Sequence, residues 1–130
     1  MANKNADAII GHWINDDKNL EVEVFKSDGK YKARVIWFDD MDDKSSPMLD
    51  RLDKNNPDKT LRSRKIIGTE VMHGLIYNAK DDEWQEGRIY DYSTGKDWNA
   101  KAWINRDGIL KVRGYWNLSI FGQNMSFKKV

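Results

Sequence analysis

The feature that most constrains this chain is an alternation of apolar and polar residues with a period of two. It is clear at 20–24, 98–102 and 110–113, and this period places every second side chain on the same face of a β-strand. Short polar segments that contain glycine, such as 27–30 and 105–108, separate the alternating segments and are typical of β-hairpin turns. The pattern therefore predicts an all-β fold.

Followed along the chain, the pattern predicts eight antiparallel strands. They cover residues 10–15, 20–26, 30–38, 65–76, 84–91, 96–105, 109–116 and 121–129. Consecutive strands joined by short hairpins form a meander, and eight such strands can close into an up-and-down barrel. We therefore predict a single barrel domain over 1–130, with residues 1–8 flexible. An open sandwich of the same strands is the alternative topology.

One long segment, 39–64, lies between the third and fourth predicted strands and has no strand periodicity. A connection of this length in a compact domain is functional, partly helical or mobile. Ser46 and Asn56, each followed by proline, are expected to cap short helical turns over 46–53 and 56–61, because proline at the first helical position loses no needed donor.

The charges of this segment are segregated along the chain. Acidic residues are concentrated at 39–43 and basic residues at 59–65. Two interpretations follow from this pattern. Either the two ends pair with each other or stay solvated, as surface charges commonly do, or the segment is a lid over one mouth of the barrel.

Composition removes several classes of protein. There is no cysteine, so disulfides and thiolate chemistry are excluded. The 22 basic and 21 acidic residues are interspersed and leave a net charge of +1, whereas a nucleic-acid footprint needs basic residues gathered on one face. No apolar run approaches the roughly 20 residues that span a bilayer. We expect a monomer that is not an integral membrane protein and binds no nucleic acid.

Catalysis finds little support in the sequence. The only histidines are His12 and His73, and no motif of a nucleophilic serine surrounds the serines. The aspartates after position 38 resemble the start of a calcium loop, but Pro47 stands where that loop requires glycine. We therefore predict no enzyme, metal or cofactor. A barrel enzyme that uses His73 or Asp91 as an acid or base is the least favoured alternative.

The aromatic residues are more informative. One face of the sixth predicted strand and one face of the seventh combine tryptophan with alanine or glycine, so small residues either make room for large rings in a filled core or keep a cavity open. Arg113 or Arg88 would orient the polar end of a ligand if either faced inward, although strict alternation puts Arg113 outside. The predicted ligand-binding residues are Trp37, Tyr90, Trp98, Arg113 and Trp116.

Two patterns resemble a known family. The sequence 11–13, Gly-His-Trp, is similar to the G-x-W signature of lipocalin and avidin-like barrels, in which the tryptophan plugs the closed end. A longer pattern over 9–130 resembles small bacterial lipocalin-like proteins catalogued only as a domain of unknown function. Its parts are 53–58, 61–64, Gly68, 87–91, 95–96, 100–101, 110–115 and 121–122.

This resemblance implies an eight-stranded barrel and no established activity or catalytic residues. It also implies export through a signal peptide and hence a periplasmic or secreted protein, with the mature chain beginning near 6–10. The family often has arginine where this chain has Lys129. In lipocalins an arginine of the last strand packs on the first-strand tryptophan, so the resemblance implies that Lys129 replaces this stacking on Trp13 only in part and that the closed end is looser.

The long segment contributes four further candidate residues through the same resemblance: Asn56, Asp58, Arg62 and Arg64. Helix capping explains Asn56 and Asp58, whereas the two arginines are suited to bind a carboxylate of an internal acid or of a ligand. Together, these features predict a barrel that holds a small apolar molecule or lipid in its mouth. The alternative is a filled barrel that acts as a structural or protein-interaction module of the cell envelope.

Overall fold

The strands form a closed antiparallel barrel. The computed structural model describes residues 5–115 and 123–130. Each strand pairs with the next, and the last pairs with the first, so the predicted up-and-down barrel is confirmed over the open sandwich. The strands are β1 Gly11–Asn15, β2 Leu20–Ser27, β3 Lys30–Phe38, β4 Glu70–Asn78, β5 Glu83–Asp91, β6 Lys96–Ile104, β7 Leu110–Tyr115 and β8 Gln123–Lys129.

The fourth strand begins later than the alternation predicted, at Glu70 rather than at residue 65. Lys65 instead forms an isolated bridge with Leu52. Gly68 has a φ of 86°, and its amide donates a hydrogen bond of 2.8 Å to the carbonyl of Val35. These contacts keep residues 65–69 in the connection, which therefore runs from 39 to 69.

A bulge in β3 changes which side chains face the interior. Val22 pairs with Val35 and Glu21 pairs with Trp37, which leaves Ile36 as one extra residue. A single extra residue moves every later side chain to the other face of the strand. Trp37 is consequently 37% exposed, and its neighbour Phe38 is buried in its place.

A second bulge acts in the same way in β5. Trp84 pairs with Ala102, but Gly87 pairs with Ala100, so β5 contains one residue more than β6 over this stretch. Glu86 has a φ of 63° at this point. Residues after the bulge are therefore one step out of phase with the alternation that the sequence suggests.

A short 3₁₀ helix, Ala6–Ile9, closes one end of the barrel. Ile9 is completely buried, and its carbonyl accepts a hydrogen bond of 2.9 Å from Nε1 of Trp13. The carbonyl of Ala6 accepts a bond of the same length from Nε1 of Trp84. Both indole nitrogens are thus satisfied by the helix that covers them.

Two expectations concern this closed end. Residues 1–8 were predicted to be flexible, and within this range the 3₁₀ helix is hydrogen-bonded to the barrel wall. Lys129 lies over Trp13, with Nζ 5.2 Å from the centre of the indole ring, and a looser closed end stays a prediction. The same Nζ donates a hydrogen bond of 3.0 Å to the carbonyl of Ile10.

In the part of the chain that the structure describes, no helix combines the length and apolar character needed to cross a membrane.

Candidate ligand-binding site

The barrel encloses a cavity of about 270 Å³. The cavity reaches the end of the barrel that lies opposite the 3₁₀ helix. We call this end the mouth, and it includes the connections 16–19, 39–69 and 92–95. Most of its walls are apolar. The lining residues are Leu20, Val22, Val24, Ala33, Val71, Met72, Ile89, Tyr90, Asp91, Tyr92, Ser93, Trp98, Leu110, Val112, Gly114, Gln123, Met125 and Phe127.

Gly114 leaves part of this space empty. A Cβ atom at this position would lie 3.6 Å from Cγ2 of Ile89 and 3.7 Å from Cβ of Trp98, which are ordinary contact distances. Gly87 differs, because a Cβ there would lie only 2.5 Å from Cδ2 of Leu75. The space beside Gly87 is filled by Leu75, whereas the space beside Gly114 belongs to the cavity.

The apolar wall predicted from β6 and β7 is confirmed. Ala100 and Ala102 are completely buried, and Leu110 and Val112 are almost so. Trp98, which precedes them on β6 and is one of the predicted ligand-binding residues, lines the cavity. Trp116 lies outside the described residues.

The structure does not bring Trp37 to the cavity, because the bulge at Ile36 turns its ring outward. Tyr90 borders the cavity, but its register partner on β6 is Asp97, which is exposed. By strand alternation its side chain points to the opposite face from Ile89 and Trp98. The two bulges turn both aromatic residues away from the face that simple alternation would give them.

The candidate arginines also lie outside the cavity lining. Nη1 of Arg113 donates a hydrogen bond of 3.0 Å to Oδ1 of Asn124, and Nη1 of Arg88 donates one of 2.9 Å to Oδ1 of Asn99. Among the described lining residues, the charged group is instead Asp91. Sequence reasoning did not select Asp91 for ligand contact, since its inward phase depends on the bulge in β5.

Asp91 is held by the turn that follows it. Its Oδ1 accepts hydrogen bonds from the amide of Ser93 at 2.9 Å and from Oγ of Ser93 at 2.6 Å. Its Oδ2 accepts one from Oγ1 of Thr94 at 3.1 Å. These contacts fix the carboxylate at the edge of the cavity.

A buried carboxylate, Asp53, ties the long connection to the barrel. Its Oδ1 accepts a hydrogen bond of 2.6 Å from the hydroxyl of Tyr90. Its Oδ2 accepts bonds of 2.9 Å from Nε of Arg64 and 2.9 Å from Nδ2 of Asn56. Burial and this hydrogen bond raise the pKa of Tyr90 above its usual range.

The candidate residues of the connection divide between this cluster and the surface. Arg64 binds the internal acid Asp53, which is one of the two roles predicted for the arginines. Nε of Arg62 donates a hydrogen bond of 2.6 Å to the carbonyl of Asn56. The predicted cap at Asn56 is wrong, because Asp58 caps the 3₁₀ turn Lys59–Leu61. Hydrogen bonds from Thr60 lower the pKa of the Asp58 carboxyl.

The first predicted helical turn is shorter than expected and lacks the expected cap. It covers Met48–Asp50, and Pro47 at its N-cap makes no side-chain hydrogen bond. Oδ2 of Asp40 accepts the hydrogen bond from the amide of Met48, at 2.8 Å. The cap is therefore supplied by Asp40, which precedes Ser46, the predicted capping residue, in the same connection.

Next to the cavity, the connection forms a groove of about 840 Å³ that is open to solvent. Four aspartates, one arginine and one lysine supply its charged groups: Asp39, Asp42, Asp43, Asp50, Arg51 and Lys54. Leu20, Tyr92 and Ser93 line both the groove and the cavity. The rings of Phe38 and Tyr92 pack with their centres 6.0 Å apart.

Arg51 is already bound within this groove. Its Nη2 donates to Oδ1 of Asp42 at 2.8 Å and to the carbonyls of Asp40 and Asp43. Its Nε donates to the carbonyl of Ser46 at 2.7 Å. The acidic start of the connection thus pairs with Arg51, and the expectation that it pairs with the basic end is wrong.

The histidines lie on the outer surface. Nε2 of His12 lies 3.2 Å from Oε2 of Glu23, and the exposed His73 pairs with Arg88 across β4 and β5. Over residues 5–115 and 123–130, no three histidine or carboxylate side chains are grouped closely enough to hold a metal ion.

Comparison with known proteins matches this architecture. Residues 11–129 match the model of a family described as "Uncharacterized protein conserved in bacteria (DUF2147)". The chain is also similar to the solved structure of protein HP1028 from the human pathogen Helicobacter pylori, which is described as belonging to the lipocalin family. The two are 24% identical with a TM-score of 0.78, over 94% of this chain and 82% of the other. No curated protein matches. The fold is therefore lipocalin-like.

Proposed function

Since the chain belongs to the uncharacterised bacterial family DUF2147 and has a lipocalin-like barrel, we propose that it binds one small, mostly apolar molecule inside that barrel. The observation that carries this proposal is the cavity of about 270 Å³ with apolar walls. A cavity of roughly 150 Å³ holds benzene, so this one suits a ligand of about ten non-hydrogen atoms. A lipid of greater length would have to extend beyond the mouth.

The cavity favours this function over the filled barrel. A filled interior would leave no such cavity, whereas Gly114 lines one of about 270 Å³, and a Cβ atom at this position would fit at ordinary contact distances. Burial of apolar surface provides the driving force for binding, at about 25 cal/mol per Å². Trp98 and the aliphatic residues of β7 supply that surface.

Two further proposals concern the protein's setting. We propose that it works outside the cytoplasm, which the resemblance to exported proteins supports. We also propose that it binds its ligand without catalysis. Of the two residues considered as an acid or base, His73 is exposed on the outer surface, and Asp91 lines the cavity without a histidine or a second carboxylate among the described lining residues. Fractionation of cells that express the complete gene product tests the first proposal, and incubation with esters over a range of pH tests the second.

The ligand proposal is tested by titrating the protein with linear alcohols of about four to fourteen carbons and following binding by calorimetry. We expect an optimum near about eight carbons from the cavity size. Gly114→Leu should occupy part of the cavity and weaken binding of the optimal alcohol, and Trp98→Ala should weaken that binding about tenfold through lost apolar contact.

Two outward-facing residues provide matched controls for these variants. Trp37→Ala removes an indole from the outer face of β3, and Arg113→Ala removes a side chain from β7 one residue before Gly114. Both variants should retain wild-type affinity. The proposal is wrong if wild-type protein binds no alcohol of the series, or if Gly114→Leu binds all of them as wild-type protein does.

A further inference from the structure

The charges at the cavity edge bear on the chemical class of the ligand. Among the described residues that line the cavity, Asp91 is the charged one. Its carboxylate has about four acceptor positions, and three hydrogen bonds from Ser93 and Thr94 occupy part of them. A ligand group that enters the mouth therefore meets a fixed negative charge with remaining acceptor capacity.

The basic residues near this carboxylate do not neutralise it directly. Lys96 pairs with Asp91 across β5 and β6, but it is exposed and outside the cavity lining, and within the described residues no ion pair joins the two. Arg51 lies in the adjacent groove, where Asp42 and three backbone carbonyls bind its guanidinium.

The adjacent groove adds a field of the same sign. It shares the walls Leu20, Tyr92 and Ser93 with the cavity, and its aspartates outnumber its basic residues. A carboxylate at the mouth would thus be repelled from Asp91 and from the groove, whereas an ammonium group or a hydrogen-bond donor would be attracted.

We propose that the ligand has an apolar body and a cationic or hydrogen-bond-donating end, and that Asp91 selects this end against a carboxylate. The inference rests on the proposed function, since it concerns the polar end of the same ligand. The apolar body lies against Trp98 and β7, and the polar end lies at the turn that follows β5. Asp91 is therefore a specificity-determining residue, and fatty acids are poor ligands.

The test compares three eight-carbon compounds that differ only at one end: octylamine, octanol and octanoate, at neutral pH. We expect wild-type protein to bind octylamine about tenfold more tightly than octanoate, with octanol between them. The difference between the two ions should shrink as salt is added, because salt screens exposed charges.

Two variants distinguish the effect of the Asp91 charge on ligand preference from the effect of the turn that follows Asp91. Asp91→Asn keeps an acceptor for the Ser93 donors and should reduce the difference between octylamine and octanoate to about twofold, with octanol affinity unchanged. Gln123→Lys adds a positive charge at the start of β8, a cavity-lining position that is exposed. It should shift the preference toward octanoate without altering the turn.

The outcomes distinguish this inference from the proposed function. If wild-type protein binds none of the three compounds, both are overturned. If octanol binds but octanoate binds as tightly as octylamine, or if Asp91→Asn keeps the full preference, only the inference about Asp91 is overturned. Wild-type selectivity that both variants alter in the expected directions supports it.

Discussion

The hydroxyl of Tyr90 on β5 donates a hydrogen bond of 2.6 Å to Oδ1 of Asp53, a completely buried residue of the long connection. Arg64 and Asn56 bind the other carboxylate oxygen. The guanidinium of Arg64 also lies 5.7 Å from the centre of the Tyr90 ring. One carboxylate thus joins three parts of the chain, and it holds the connection against the barrel wall.

Removing this carboxylate should destabilise the fold. Asp53→Ala leaves three donors without their acceptor, and we expect the free energy of unfolding to fall by about 3 kcal/mol. Tyr90→Phe removes one hydrogen bond to a charged group and should cost about 1.5 kcal/mol. Urea denaturation followed by tryptophan fluorescence measures both.

Tyr77 provides the matched control for Tyr90→Phe. Its hydroxyl donates to Oδ1 of Asp82 at 2.5 Å, but that pair is exposed. Water can replace the bond, so Tyr77→Phe should cost less than about 0.5 kcal/mol. Equal losses in the two variants would contradict a special role for the buried pair.

The two inward glycines should respond differently to a methyl group. Gly87→Ala brings Cβ to 2.5 Å from Leu75 and should destabilise the protein by about 2 kcal/mol through overpacking. Gly114→Ala meets only ordinary contacts, and it should leave stability within about 0.5 kcal/mol or raise it. Thermal unfolding compares the two variants.

A double-mutant cycle checks the cause of the Gly87 effect. If contact with Leu75 is responsible, Gly87→Ala should cost less in a Leu75→Ala background than in wild-type protein. Strictly additive losses would show that the clash does not lie at Leu75.

Alkaline pH should weaken the closed end. Burial and the hydrogen bond to Asp7 raise the pKa of Tyr31 from 10.0 to about 12. In the unfolded chain the hydroxyl ionises near pH 10, so the stability contributed by protonated Tyr31 is complete below pH 10 and is lost as the pH rises from 10 to 12. Urea denaturation at pH 8 to 11.5 should show this decline, with a shallower slope in Tyr31→Phe. Parallel curves would contradict this assignment.

The 3₁₀ helix at the closed end should contribute to stability as a part of the core. Ile9 is completely buried whereas Ile10, the next residue, is 37% exposed. Ile9→Ala should lower the free energy of unfolding by about 3 kcal/mol through cavity formation, and Ile10→Ala should cost less than about 1 kcal/mol. Equal effects in the two variants would show that the helix does not pack as described.

Local signals account for the predictions that the structure confirms. Turn glycines and short apolar alternations specify hairpins within a few residues of chain, so the strands were predicted to within a few residues except at the start of β4. The wall built from β6 and β7 was also predicted from local alternation. The prediction holds because the pairing between these two strands contains no bulge.

The candidate site was predicted less completely, because its composition depends on contacts between distant parts of the chain. Trp37 and Tyr90 were named as candidates because they are aromatic residues of predicted strands, and the extra residues at Ile36 and Glu86 reverse the phase of those strands. Asp91 was missed as a ligand contact for the same reason.

The sequence by itself determined the hairpins and the order of the strands in a meander, because these follow from side-chain periodicity and turn chemistry over short distances. Closure of the meander was decided by the tertiary structure, because it requires pairing of β1 with β8. Only the tertiary structure decided which aromatic rings face the cavity, which acid is buried in the connection and which charge stands at the mouth. The bulges form, and Asp53 accepts the hydrogen bond from Tyr90, only when the neighbouring strands and the long connection are packed together. Both features depend on the register of strands across the whole barrel.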